Sequence, residues 1–94
     1  MKFTWDEKKR LKDVLKHGID FVDAKEIFSG MNVSFDDEKD DYGERRQITL
    51  GILRGLIVIF VSHTESDAEI RIISARKATK HESRIFYEKI KNQL

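Results

Sequence analysis

The stretch Leu56-Ile57-Val58-Ile59-Phe60-Val61-Ser62 constrains the fold more than any other part of the chain. A strand with one solvated face shows polar residues at every second position. A near-continuous Leu/Ile/Val/Phe run reads instead as a central strand buried on both faces. It is far too short to span a bilayer. The 94 residues make a single domain, 1–94, near the lower end of what buries an independent core.

The rest of the chain supplies elements to flank that strand. Lys2 to Trp5 reads as a short strand with Phe3 and Trp5 on one face. Asp6 fits an N-cap, and Leu11, Val14 and Leu15 form an i, i+3, i+4 stripe on the following helix. Gly18, after Lys16-His17, is a natural stop with cations at the negative end of the dipole. Asp20 and Asp23 open a second helix with Phe21, Ala24, Ile27 and Phe28 inward, so a helical hairpin is expected up to Gly30. Asn32 to Phe35 is a candidate strand, Asp36 to Gly43 an acidic turn, and Arg45 to Leu53 a further strand. Arg54-Gly55 turns into the central run; His63 to Ala68 reads as a polar loop and Glu69 to Ala75 as the next strand. Thr79-Lys80-His81-Glu82 is a capping box for a last helix that turns Ile85, Phe86 and Ile90 inward. The expected fold class is α+β: a mostly antiparallel sheet with an N-terminal helical hairpin and a C-terminal helix packed against it.

Composition removes several function classes. Cysteine is absent, so no disulfide framework, thiolate nucleophile or cysteine-ligated zinc is expected. His17, His63 and His81 are scattered, with no metal spacing, and no Gly-rich phosphate loop or nucleophile elbow is present. No metal and no cofactor is therefore expected. The chain from Met1 to Trp5 leads into a charged helix without the apolar core of a signal peptide. The expectation is a cytoplasmic protein that does not meet a membrane.

The net charge of +1 hides an asymmetry. Glu26 to Glu44 holds seven acids and one lysine, whereas Arg45 to Leu94 holds ten lysines and arginines against five acids. That split fits a basic face for a polyanion, or two ordinary solvated surfaces. The apolar strand Ile70–Ala75 carries Arg71, with Arg76 and Lys77 directly after it. An unpaired buried charge is costly, so each guanidinium points at solvent, a carboxylate or an anion. Strict alternation puts Arg71 and Arg76 on opposite faces unless the strand bends near Ser74. Arg45 and Arg46, also on opposite faces, can join them in one basic patch with His63 at a strand end. A guanidinium suits phosphate because its planar fork donates two parallel hydrogen bonds. Each residue has a plainer role as well: Arg71 paired with Glu44 or Glu69, His63 solvated in its loop, Glu44 holding an arginine in place.

Phe3-x-Trp5-Asp6 with Lys16-His17-Gly18-Ile19-x-Phe21, then Tyr42-Gly43-Glu44-x-Arg46 with Gly51, then Ile70-Arg71-Ile72-Ile73-Ser74-Ala75-Arg76-Lys77-Ala78 and Glu82, resemble in order and spacing the BrnT family of toxins. The resemblance covers nearly the whole chain. It implies a RelE-like fold and a ribonuclease toxin of a type II toxin–antitoxin system that inhibits translation and growth. It also implies a BrnA antitoxin, which uses a ribbon-helix-helix domain to bind operator DNA. Two positions depart from the family pattern: Asp13 stands where asparagine is usual, and Ser66 where arginine is frequent.

The chemistry expected for such a substrate needs no metal: the RNA 2′-hydroxyl attacks the adjacent phosphorus. A base takes the hydroxyl proton, cations stabilise the phosphorane and an acid protonates the leaving oxygen. Arg46, Arg71 and Arg76 are the candidates for phosphate and transition-state contacts, and Glu44 or His63 for proton transfer. Arg45, Lys77, Lys80 and Arg84 are the candidates for guiding RNA by long-range attraction. The alternatives are a module that occupies RNA or the ribosome without cutting, and a degenerate toxin serving a regulatory complex.

Overall fold

The computed structural model describes residues 1–37 and 45–93. Its elements are β1 (Lys2–Trp5), α1 (Glu7–His17), α2 (Phe21–Ala24), β2 (Asn32–Asp36), β3 (Gln47–Leu53), β4 (Ile57–Glu65), β5 (Glu69–Lys77) and α3 (Lys80–Gln93). A 3-10 segment, Lys25–Ser29, follows α2 directly. The sheet order is β1-β5-β4-β3-β2, so the apolar run does form the central strand. Among the described residues no helix is long and apolar enough to cross a membrane.

The central strand is buried on both faces because different helices cover each of them. On one face Phe21, Ala24 and Ile27 pack over Ile59, Val61, Ile72 and Ala75. On the other, Phe86 and Ile90 of α3 pack over Val33, Ile48, Leu50 and Val58. Each of the Phe, Ile, Leu and Val side chains among them contributes roughly 2 kcal/mol through the apolar area it removes from water. Local signals in the sequence act as expected. Gly18 closes α1 at φ 73°, and the tight link between β3 and β4 places Arg54 and Gly55 at φ 53° and 68°. The capping box forms reciprocally, with Glu82 N donating to Thr79 Oγ1 at 3.1 Å and Thr79 N donating to Glu82 Oε1 at 2.9 Å.

The sheet is mixed rather than mostly antiparallel. β2, β3, β4 and β5 pair antiparallel, but β1 runs parallel to β5, with Phe3 beside Ile70 and Trp5 beside Ile72. That pairing puts Phe3 and Trp5 on the same apolar layer as Ile70 and Ile72. The helical hairpin does not form either. The second helix is one α-turn followed by tighter 3-10 winding, which brings Ile27 down onto β3. Gly51 leaves the room: a Cβ there would lie 2.6 Å from the Cβ of Ile27. Gly51→Ala is expected to lower stability by about 2 kcal/mol through overpacking, which lowers Tm by roughly 10 °C in a thermal melt.

The apolar stripe of α1 does not face the core. Leu11 and Leu15 are 52% and 89% exposed, whereas Asp13 is 1% exposed. The reason lies in the sheet edge. β1 ends at Trp5 while β5 continues to Lys77, so the Ala75 N–H has no strand beside it. Asp13 Oδ2 accepts that N–H at 3.1 Å, and Lys9 pairs with the other carboxylate oxygen. Orphaned backbone donors are costly in the interior, and supplying this one decides how α1 is rotated.

Candidate nucleic-acid interface

Residues opposite one another in an antiparallel pair point to the same face. Thr64 lies opposite Arg71, and Phe60 lies opposite Arg76. Thr64 and Phe60 are four residues apart on one strand, so they share a face, and both arginines share it with them. The cause is a bulge. Ser62 pairs with Ser74 but His63 pairs with Ile72, which makes Ile73 an extra residue in β5. One inserted residue shifts the alternation beyond it. The bend that strict alternation required near Ser74 is therefore present, and both arginines emerge on the α3 side of the sheet.

Arg46 joins the same face. Asp37 N donates to Arg46 O at 3.0 Å, which continues the β2–β3 pairing one step past Gln47. Alternation from Ile48 then puts Arg46 on the α3 side, in a row with Thr64 and Arg71. Neighbouring strands lie ~4.8 Å apart, so two strand spacings, roughly 10 Å, separate the Arg46 and Arg71 backbones. α3 packs on β2, β3 and β4. The β5 half of the face stays uncovered, with Arg71 exposed, Thr64 and Ser74 half-buried and Ser62 beneath them. Thr4 completes the row beside Arg71, and its Oγ1 is buried without a hydrogen-bond partner. The surface is thus a floor of hydroxyls bordered by guanidiniums.

The arginines differ in what holds them. Among the described residues Arg71 has no ion pair; the pairing with Glu69 is not formed, although Glu69 lies two residues back on the same strand face. Arg76 is held on several sides. Its Nη1 and Nη2 donate to the two carboxylate oxygens of Glu82 at 2.8 and 2.9 Å, Nη1 also donates to Lys77 O, and its Cζ lies 3.9 Å from the centre of the Phe60 ring. That hydrogen bonding, by Arg76 first, lowers the Glu82 pKa despite partial burial. Arg76 therefore fastens the start of α3 to the sheet.

The remaining candidates are dispersed. Arg45 Nη2 donates to Asp36 Oδ2 at 2.9 Å and lowers the Asp36 pKa; alternation puts this pair on the α1 side. Lys77, opposite Ile59, is exposed on that side as well. Lys80 and Arg84 stand one turn apart on the exposed surface of α3. Glu44 lies outside the described residues, as do Tyr42 and Gly43. Among the described residues no three His, Cys, Asp or Glu side chains converge as a metal site.

His63 requires correction in position. It belongs to β4, is 1% exposed and faces the α1 side, where Phe28 meets it edge-on with ring centres 5.0 Å apart. Its Nε2 shares a 2.7 Å hydrogen bond with Thr49 Oγ1, which is 2.6 Å from Ser34 Oγ. Burial pushes the imidazole pKa down to about 4; the Thr64 backbone pulls it upward, but less. A neutral imidazole buried behind the sheet does not meet the arginines in front of it. The hydroxyls at positions 62, 64 and 74 were not singled out in the sequence reading, although small polar residues within strongly apolar strands are their signal.

Comparison with known proteins supplies the context for this surface. No curated protein matches the chain significantly. Among solved structures, the 1.1 Å crystal structure of the Brucella abortus ribonuclease toxin BrnT matches with a TM-score of 0.68 and 32% identity, over 85% of this chain and 99% of that one. The family described as the ribonuclease toxin BrnT of type II toxin–antitoxin systems matches residues 5–82. With its mixed five-stranded sheet, its three helices and these matches, the chain belongs to the BrnT family of toxins.

Proposed function

We propose that the chain cleaves RNA on the uncovered half of the α3-side face, without a metal, and thereby inhibits translation and growth in the cytoplasm. The observation that carries this reading is the shared face of Arg46, Thr64 and Arg71, with Arg71 exposed and unpaired among the described residues. The Arg46 and Arg71 forks bracket a scissile phosphate above Thr64 and stabilise the charge that develops on the phosphorane. Glu44, two residues before Arg46, is the proton-transfer candidate, and Glu69 is a second one on the face itself. Arg76 acts by position, through α3. Lys80 and Arg84 draw RNA towards the surface, with Lys77 and Arg45 adding to the field from behind. A BrnA-type antitoxin with a ribbon-helix-helix domain neutralises the toxin, and operator DNA is bound through that antitoxin alone. The sheet with helices on both sides is consistent with a RelE-like arrangement.

A second reading, occupation of RNA or the ribosome without cutting, draws on His63 lying behind the sheet. One experiment separates the two. The chain is induced alone in bacteria, RNA 5′ ends are mapped, and the purified protein is assayed on RNA with and without EDTA. New 5′ ends, and cleavage that persists in EDTA, are expected. Growth arrest without new ends would establish the binding reading instead, and loss of cleavage in EDTA would refute metal independence.

A further inference from the structure

Behind the sheet, between the 3-10 segment and the far end of β4, lies an open cleft of about 650 Å³. Pockets of ~300–1,000 Å³ are the usual size for small organic ligands. Its walls include Phe3, Phe28 and Ile70, and Ser34, Asn32 and His63 contribute polar groups. The surrounding charges are mixed, with Lys25 against Glu26 and Glu65, so nothing there selects a phosphate or another strong anion.

The polar group at its base is unusual. His63 Nε2 is engaged by Thr49, whereas Nδ1 is buried and meets no partner at hydrogen-bond geometry, the Thr64 backbone acting on the ring less than burial does. A buried polar atom left unpaired is costly, and native structures rarely keep one without a use. The Ser34–Thr49–His63 chain also runs in either direction, because both hydroxyls rotate. With hydrogen bonds pointing towards the ring, Nδ1 carries the proton and donates; with the chain reversed, Nδ1 accepts. Either edge of a ligand can then be met without charging the imidazole.

We propose that this cleft binds a neutral, planar heteroaromatic molecule of the nucleobase type, stacked among the aromatic walls and hydrogen-bonded to His63 Nδ1. An aromatic plane uses Phe3 and Phe28, and a ring nitrogen or exocyclic amine satisfies the orphaned atom. The site is on the opposite side of the sheet from Arg71, so it is independent of whether RNA is cut there. Phe28 is half-buried and meets the imidazole edge-on, so a ligand that reaches Nδ1 must displace its ring.

The test titrates the isotopically labelled full chain with adenine and, separately, with indene, a planar bicycle without nitrogen, and follows the His63 ring nitrogens and the backbone amides by NMR. Adenine is expected to shift His63 Nδ1 together with Phe28 and Ser34, and to bind about ten-fold tighter than indene, which has no nitrogen to offer, as one added hydrogen bond gives. Ser34→Leu, at an exposed strand position that fills the cleft, should abolish the shifts while the fold persists; His63→Leu should remove the preference for adenine. Equal binding of indene and adenine would overturn recognition through His63. Silence of the cleft at millimolar adenine, or shifts confined to Arg71 and Thr64, would overturn the site altogether.

Discussion

Arg71→Ala is expected to lower RNA cleavage by about 10²–10³-fold, the usual cost of removing one preorganised transition-state contact. Stability should change by no more than ~0.5 kcal/mol, because the side chain is exposed and, among the described residues, has no ion pair to lose. Arg71→Lys should recover only part of the rate, since an ammonium keeps the charge but loses the two-pronged fork. Arg76→Ala supplies the contrast. It strands the Glu82 carboxylate beside the sheet and uncovers Phe60. The partial exposure of the pair moderates the cost, so about 1–2 kcal/mol of stability should go, and any loss of rate should track loss of folded protein. Cleavage of a fluorescent RNA beside a thermal melt of each variant makes the comparison. Parental cleavage by Arg71→Ala would remove this face as the catalytic surface.

That contrast between two arginines of one strand was only half legible in the sequence. Alternation is a local rule, and it serves wherever local chemistry decides: the apolar run became the central strand, Gly18 closed α1, and Thr79 with Glu82 opened α3. The bulge at Ile73 has no such signature, because Ile72 and Ile73 are equally good strand formers. Its presence depends on how β5 registers against β4. The rotation of α1 was hidden for a similar reason. Leu11 and Leu15 outline a plausible inner face, but the decisive contact joins Asp13 to the Ala75 N–H, 62 residues away. It also gives the carboxylate at position 13 a clear task, as an acceptor for a strand edge. His63-Thr64 looked like the start of a loop because polarity was taken for exposure. Both belong to β4, and the buried His63 is accommodated by a hydroxyl on the neighbouring strand.

The burial of His63 sets the second large effect, a loss of stability on mild acidification. The folded imidazole titrates at about 4, against an ordinary value of 6.5. Between those limits the unfolded chain binds a proton that the folded chain refuses, so stability falls as the pH drops through that window. The limiting size is about 3 kcal/mol, of which about 2 kcal/mol should be lost between pH 6.5 and 5. The carboxylates act lower down. Glu82 has a lowered pKa, so its contribution is complete above the ordinary value of 4.5 and disappears only as the pH falls below it. The slope between pH 6.5 and 5 is therefore His63's own signature. Urea denaturation at pH 7, 6 and 5 should show it in the parent chain, and His63→Gln, which cannot charge, should be nearly flat over the same range. Across that interval the His63 ring resonances should hold their neutral positions. A ring that titrates near 6.5 would mean the imidazole is solvated, and would return it to the set of groups able to move protons.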